Sequence, residues 1–266
     1  MKTNNYKYIY GPVSSWRLGR SLGIDPISGL EKTCSFDCVY CQIGKTKNQI
    51  NYLKEFVPVY DIIDEINSLP EIVVDYITFA GLGEPTLAKN LDRMIIAIKS
   101  IRKERIAVIT NSSTMYLKEV RKTLCLSDFV VAKLDACNEN VLKKINNPLQ
   151  GITIKDIVNG LIDFRTEFSG KLAIQIMFIE ENKCLVKELA ALVNNIKPDE
   201  VQINTPLRPC AVFPLTKDEI QKIRDEFVKL CSPNSIKVIS VYEPVVKKDV
   251  KSISSAETIR RRGKPI

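Results

Sequence analysis

The sequence predicts an α/β fold built on a parallel sheet. Short apolar runs of strand length alternate with stretches whose apolar residues recur at helical spacing. About six such units fit into 266 residues, a length at which one α/β domain forms a full core. Polar residues also interrupt several strands near their C-terminal ends, where α/β proteins gather ligands. Periodicity alone leaves a closed barrel, a partly open barrel and a doubly wound sheet all open.

Each element has its own signal. Residues 1–33 read as an opening segment with turns at Gly11-Pro12 and Asp25-Pro26. Within it, residues 21–25 form a short first strand that leads to a cysteine-bearing loop. Val59, Ile62, Ile63 and Ile66 mark a helix. Residues 76–80 are a buried strand, and Gly81 begins a tight loop. Leu91, Met94, Ile95, Ile98 and Ile101 mark the next helix, followed by a strand over 106–110 that ends at Asn111. A helix over 116–124 and a strand over 129–135 come next. Helices near Val141 and over 154–168 follow, the second opened by Thr153 and Asp156. Residues 172–179 form the longest strand. Leu185, Val186, Leu189, Val193 and Ile196 make a helix, and 201–205 a strand. Thr216 and Glu219 form a capping box for a helix through Leu230. Residues 236–242 are the last strand. Trp16, Phe129, Phe164 and Phe168 read as core or interface packing. No linker or internal repeat divides residues 1–246, which read as one domain.

Strands buried on both faces should be almost wholly apolar. Lys133 and Asp135 nevertheless share a face of their strand. Gln175 lies opposite Leu172, Ile174 and Ile176, and Gln202 and Asn204 lie opposite Val201 and Ile203. Buried polar groups need partners, so these positions predict a polar cavity at the strand ends; strand-end hydration is the plainer alternative.

Charge and composition narrow the classes. The chain carries 39 basic and 31 acidic residues, no histidine, and a net charge of +8. Residues 247–266 form a basic tail with seven basic and two acidic residues: Lys247, Lys248, Lys251, Arg260, Arg261, Arg262 and Lys264 against Asp249 and Glu257. Such a tail suits an anionic partner such as RNA, or is simply solvated. Arg17 and Arg20 suit an anion or surface carboxylates. No run of about eighteen apolar residues marks a membrane span, and the first residues lack the apolar centre of a signal peptide. A cytoplasmic protein is expected.

Cys34, Cys38 and Cys41 fall at C-x-x-x-C-x-x-C spacing. Thiolates are soft ligands that suit iron–sulfur clusters or zinc. Three of them can hold three corners of an iron–sulfur cubane and leave the fourth iron for a small molecule. Structural zinc takes four protein ligands, and the nearest further cysteine is Cys125. Three clustered cysteines pair badly as disulfides. The other five, Cys125, Cys137, Cys184, Cys210 and Cys231, show no ligand spacing.

With Tyr40 before its last cysteine, this motif resembles the signature of the radical S-adenosylmethionine (radical SAM) superfamily. The run Tyr10–Asp25 with Lys32-Thr33-Cys34 resembles a subgroup related to the tRNA wyosine-synthesis enzymes. Residues 81–86, Gly-Leu-Gly-Glu-Pro-Thr, resemble the family's glycine-glycine-glutamate element, with Leu82 between the glycines. Wyosine enzymes also carry a second cluster on cysteines before the motif; the first 33 residues here contain none.

The resemblance implies a partial (β/α)6-type TIM barrel over residues 1–246 as a single domain. It implies a [4Fe–4S] cluster on Cys34, Cys38 and Cys41, with S-adenosylmethionine on the open iron. A donor such as flavodoxin or ferredoxin would supply one electron. The sulfonium bond would break, and a 5′-deoxyadenosyl radical would abstract hydrogen from substrate. On this reading Tyr40 lies near adenine, Gly81 and Gly83 let backbone approach the methionine moiety, and Glu84 receives its ammonium. Asn111, Ser112 and Ser113 reach carboxylate or ribose. Lys133 suits a carboxylate, Asp135 the ribose hydroxyls, and Gln175 and Asn204 ribose or adenine. Lys133 has a second expected role, since a desolvated lysine can attack a carbonyl, as a lysine does with pyruvate in wyosine-type enzymes. The substrate is a tRNA base, a small metabolite or a peptide. A non-enzymatic metal-binding regulator is the competing class.

Overall fold

The computed structural model describes residues 6–243 and 248–263. The tail lysines Lys247 and Lys264, and the first residues Met1 to Asn5, lie outside the described residues.

Eight strands form one sheet. In spatial order they are β1 (Ile9–Ser15), β2 (Gly19–Ile24), β5 (Tyr76–Phe79), β6 (Arg105–Thr110), β7 (Phe129–Lys133), β8 (Lys171–Met177), β9 (Glu200–Asn204) and β10 (Lys237–Ser240). From β2 to β10 every neighbouring pair is parallel; only β1 runs antiparallel, against β2. The two outer strands do not pair, so the barrel is partial, as expected. A small ladder of β3 (Thr33–Cys34) and β4 (Asn48–Gln49) holds the cysteine loop. Strand β1 was not legible in the sequence, because Gly11 and Pro12 carry turn signals and the register shifts between Tyr10 and Val13.

Helices cover the convex face: α1 (Val59–Asn67), α2 (Leu91–Ile101), α3 (Lys118–Leu124), α4 (Glu139–Asn146), α5 (Ile154–Glu167), α6 (Val186–Ile196) and α7 (Lys217–Cys231). Helices α1, α2 and α6 present the apolar stripes read from the sequence, such as Ile62 and Ile66 of α1 or Leu189 and Val193 of α6. The capping box of α7 is formed, and Thr153 caps α5. Their buried side chains join Leu22, Ile77, Val130, Ile174 and Val201 in the main core.

Alternate residues of the same strands point to the concave side. There Leu18, Ala107, Phe129, Val131 and Ala173 form a separate small cluster, with Tyr76 tilted against Phe129 at 6.0 Å. This cluster fills the barrel interior near the strands' N-terminal ends. Toward the other end the facing residues turn polar, and the interior opens.

The basic tail is not the solvated arm weighed from its charge. Residue Ile253 donates to the Gly11 carbonyl, and Ser254 bridges Gly11. Helix α8 (Ser255–Arg262) then packs on β1, along the edge where the sheet fails to close. Arg261 is the buried key: Nε lies 2.9 Å from Asp25, both side chains have no solvent exposure, and Arg261 also pairs with Glu257 and the Lys7 carbonyl. Charge counting could not see this, because a buried arginine and a surface arginine read alike.

Candidate active site at the strand C-terminal ends

A cavity of about 670 Å³ opens at the C-terminal ends of the strands. Its walls include Tyr40, Cys41, Gly81, Gly83, Lys133, Gln175 and Asn204. The parallel register explains the gathering: Lys133, Gln175 and Gln202 are successive cross-strand neighbours, so the residues beside them share one height.

The cysteine loop is braced from three sides. Thr33 donates to the Leu82 carbonyl at 2.9 Å, and Glu84 donates back to Thr33 at 3.2 Å. A Cβ on Gly83 would lie 1.5 Å from the Thr33 carbonyl oxygen, so only glycine permits this contact. A Cβ on Gly81 would meet the Asp25 carboxylate at 2.2 Å. Both glycines line the cavity, and both also seat the chain that carries the cysteines. The Asn111 amide donates to Cys34 Sγ at 3.4 Å and to Ser35 Oγ at 2.8 Å, and the hydroxyls of Ser35 and Ser113 lie 2.6 Å apart. From α4, the Asn146 amide donates to Cys38 Sγ at 3.4 Å.

The loop's electrostatics suit a cluster. Burial, with Glu84 and Cys38 nearby, pushes the Cys34 thiol up to about 12, and burial pushes Cys38 up to about 11. Coordinated iron reverses this, since a metal-bound thiol is deprotonated outright. Lys32 feels all three sulfurs. Burial disfavours its charge, but Cys41, Cys34 and Cys38 outweigh that and its pKa is raised. Among the described residues no three Cys, Asp or Glu side chains gather closely enough to hold a single ion. Thiolates on separate corners of a cubane stand farther apart than the ligands of one zinc.

Behind the loop lies a polar hub. Tyr40 donates its hydroxyl to Asp135, and Asn146 donates to Tyr40 at 3.1 Å and to Asp135 at 2.9 Å. The other Asp135 oxygen receives Met177 N at 2.7 Å and faces Lys133 Nζ at 3.0 Å. Lys133 also sits over the Tyr40 ring at 5.0 Å, and its buried ammonium makes no hydrogen bond of good geometry. Gln175 donates to Gln202 at 3.0 Å, and Asn204 accepts from Thr205.

The expected residues therefore divide. Tyr40, Gly81, Gly83, Lys133, Gln175 and Asn204 face the cavity. Glu84 instead receives four protein donors: Thr86 N and Oγ1, Thr110 Oγ1 and Asn111 N. That carboxylate is a hub joining β5 to β6, buried beneath the site. Asn111 is occupied by the cysteine loop, and Ser112 donates to the Lys133 carbonyl from a left-handed backbone. Asp135 sits beneath Tyr40 and Lys133. Trp16, expected in core or interface packing, lines the cavity with Arg17. Asn146 and Asn182 carry no sequence signal, and their roles, like those of Asp25 and Lys32, depend on partners 11 to 236 residues away.

The family model of the radical SAM superfamily matches residues 32–193. This chain belongs to the radical SAM superfamily. It is similar to UPF0026 protein slr1464 of Synechocystis, 42% identical over 202 residues and covering 76% of each chain. It is also 33% identical over 268 residues to UPF0026 protein MJ1312 of Methanocaldococcus jannaschii, covering 94% of this chain and 83% of that one. Among solved structures, TYW1 with a lysine-pyruvate adduct bound matches at a TM-score of 0.63, with 16% identity over 80% of this chain and 75% of that one. At that identity the likeness concerns fold alone.

As a radical SAM enzyme, the protein uses a [4Fe–4S] cluster and S-adenosylmethionine and needs a reductant. Membership sets aside zinc and the non-enzymatic regulator. The donor set fits: three thiols on one braced loop, Lys32 beside them, and Cys41 open to the cavity. No helix among the described residues is long and apolar enough to cross a membrane.

Proposed function

We propose that Cys34, Cys38 and Cys41 hold the cluster and that the enzyme abstracts hydrogen from a substrate seated in the adjoining cavity. When bound, the cluster supplies one electron, from a donor such as flavodoxin or ferredoxin, to split S-adenosylmethionine into methionine and a 5′-deoxyadenosyl radical. The protein's part is placement and exclusion of water. Tyr40, fixed by Asp135 and Asn146, offers a rigid ring beside Cys41. Gly81 and Gly83 leave room for close backbone approach. Lys133, between a carboxylate and a ring face, is set to hold an anion rather than to attack a carbonyl. The observation carrying this reading is the cavity itself, bounded by the cysteine loop on one side and by Lys133, Gln175 and Asn204 on the other.

A tRNA base is the first substrate reading. It rests on the net charge of +8 and on the resemblance of residues 10–34 to the wyosine-related subgroup. One observation favours a small metabolite or peptide instead: Arg261 and Arg262 turn into the fold and do not form a free basic arm. Anaerobically reconstituted protein, reduced and given S-adenosylmethionine, should release 5′-deoxyadenosine. Acceleration by bulk tRNA that fades steeply with salt supports the first reading. Acceleration by small-molecule fractions alone supports the second. No deoxyadenosine under any condition would overturn the radical reading.

A further inference from the structure

Three arginines that line the cavity mouth have no carboxylate partner among the described residues. Arg17 comes from the turn between β1 and β2, Arg208 from the segment after β9, and Arg262 from the end of α8. Among the described residues Arg17 has no hydrogen bond or ion pair from its guanidinium; it lies over the Trp16 ring at 5.5 Å, and its Nε is buried without a partner. Arg262 likewise has none, and Arg208 has one, to the Gly263 carbonyl at 2.9 Å. The neighbouring arginines make the contrast. Arg20 pairs with Asp75 at 3.0 Å and Arg261 with Asp25 at 2.9 Å. The one carboxylate lining the mouth, Glu243, is held by Arg224.

Three converging guanidinium groups without a counter-charge are unfavourable unless a ligand supplies one. The strain is visible in their acidity. Burial and the charge of Arg262 push Arg17 down to about 10, and the same two causes lower Arg208. Planar guanidinium forks match the oxygens of phosphate. A single carboxylate would leave most of the positive charge unmatched, whereas a phosphate carries up to two negative charges.

We infer that Arg17, Arg208 and Arg262 form a phosphate-binding subsite at the cavity mouth, so the substrate carries a phosphate that docks there while its reactive carbon reaches inward. This deepens the proposed function by naming a substrate class, and its test needs no radical chemistry.

Trp16 is the chain's single tryptophan, so its fluorescence reports on Arg17. Reconstituted protein should be titrated with inorganic phosphate, with adenosine monophosphate and with bulk tRNA, by fluorescence and calorimetry. Saturable phosphate binding with Kd below about 1 mM is expected. Arg17→Gln and Arg262→Gln should each weaken it at least about tenfold, while Arg20→Gln leaves it unchanged. Without phosphate, Arg17→Gln should melt no lower than the parent, because it removes a charge whose Nε is buried without a partner; a structural arginine would show the reverse. Competition by the monophosphate alone assigns a small phosphoester. Competition by tRNA with steep salt dependence assigns a nucleic-acid phosphate. Absence of saturation, wild-type affinity in Arg17→Gln, or displacement of phosphate by S-adenosylmethionine would overturn the subsite. Phosphate binding without deoxyadenosine release would leave the subsite standing and sink the radical reading alone.

Discussion

The wall of the cavity and its mouth treat polar groups in opposite ways. At the wall, Glu84 receives four donors, Asp135 receives Tyr40, Asn146 and Met177 N, and the Asn111 and Asn146 amides each reach a cysteine sulfur. At the mouth, the guanidinium groups of Arg17 and Arg262 have no hydrogen-bonding partner among the described residues. Fully satisfied networks rigidify and specify one arrangement. Unsatisfied cations instead await something from outside. The wall is built to keep the cysteine loop still, and the mouth is built to be completed by a ligand.

Breaking the wall at its base should have the largest effect. Cys38→Ala, or Gly83→Ala with its Cβ driven into the Thr33 carbonyl, should abolish both the brown chromophore and deoxyadenosine release, read by absorption and chromatography. The buried pair that clamps α8 comes next. Arg261→Met leaves Asp25 buried without its cation, and urea unfolding should show a loss of about 3–5 kcal/mol. Within the wall, Asn146→Ala removes donors to Cys38, Tyr40 and Asp135 together. Its activity should fall about 10–100-fold, the usual effect of losing a group that orients metal ligands. Unchanged activity would mean the hub is decoration.

The smallest effect tests where the tail begins. Asp75 is held well below the ordinary carboxylate range by hydrogen bonds from Arg20 and Lys248. A carboxylate with a depressed folded-state pKa stabilises the fold above its unfolded pKa, and that contribution disappears as pH falls through the folded value. Asp75→Asn should therefore cost about 1 kcal/mol or less at pH 7, the pair being partly exposed. The difference from the parent should shrink as pH falls below about 4. A constant difference across that range would deny the ion pairs any part in it.

Much of the fold was legible because its helices and parallel strands announce themselves locally. Ile62 and Ile66, or Gln175 set against Ile174 and Ile176, state their faces by period alone. The cysteine spacing and residues 81–86 marked the site for the same reason. What stayed hidden depends on distant partners. Glu84 reads in sequence as an acceptor for an ammonium, while its bonds from Thr110 and Asn111 come from the end of the next strand and carry no local signal. Arg17 and Arg20 were indistinguishable in sequence; only Asp75, far along the chain, tells them apart. Strand β1 was masked by turn residues, and α8 by its surface-like composition.

Residues 252–263 carry a timing consequence. They close the side of the barrel by pairing with Gly11, so one wall of the reaction chamber joins segments more than 240 residues apart. During synthesis the cysteine loop and its brace at Gly83 exist long before that wall does. The contact that seats α8 on β1 is thus among the most non-local in the fold, and it cannot form until residues 252–263 have been synthesised.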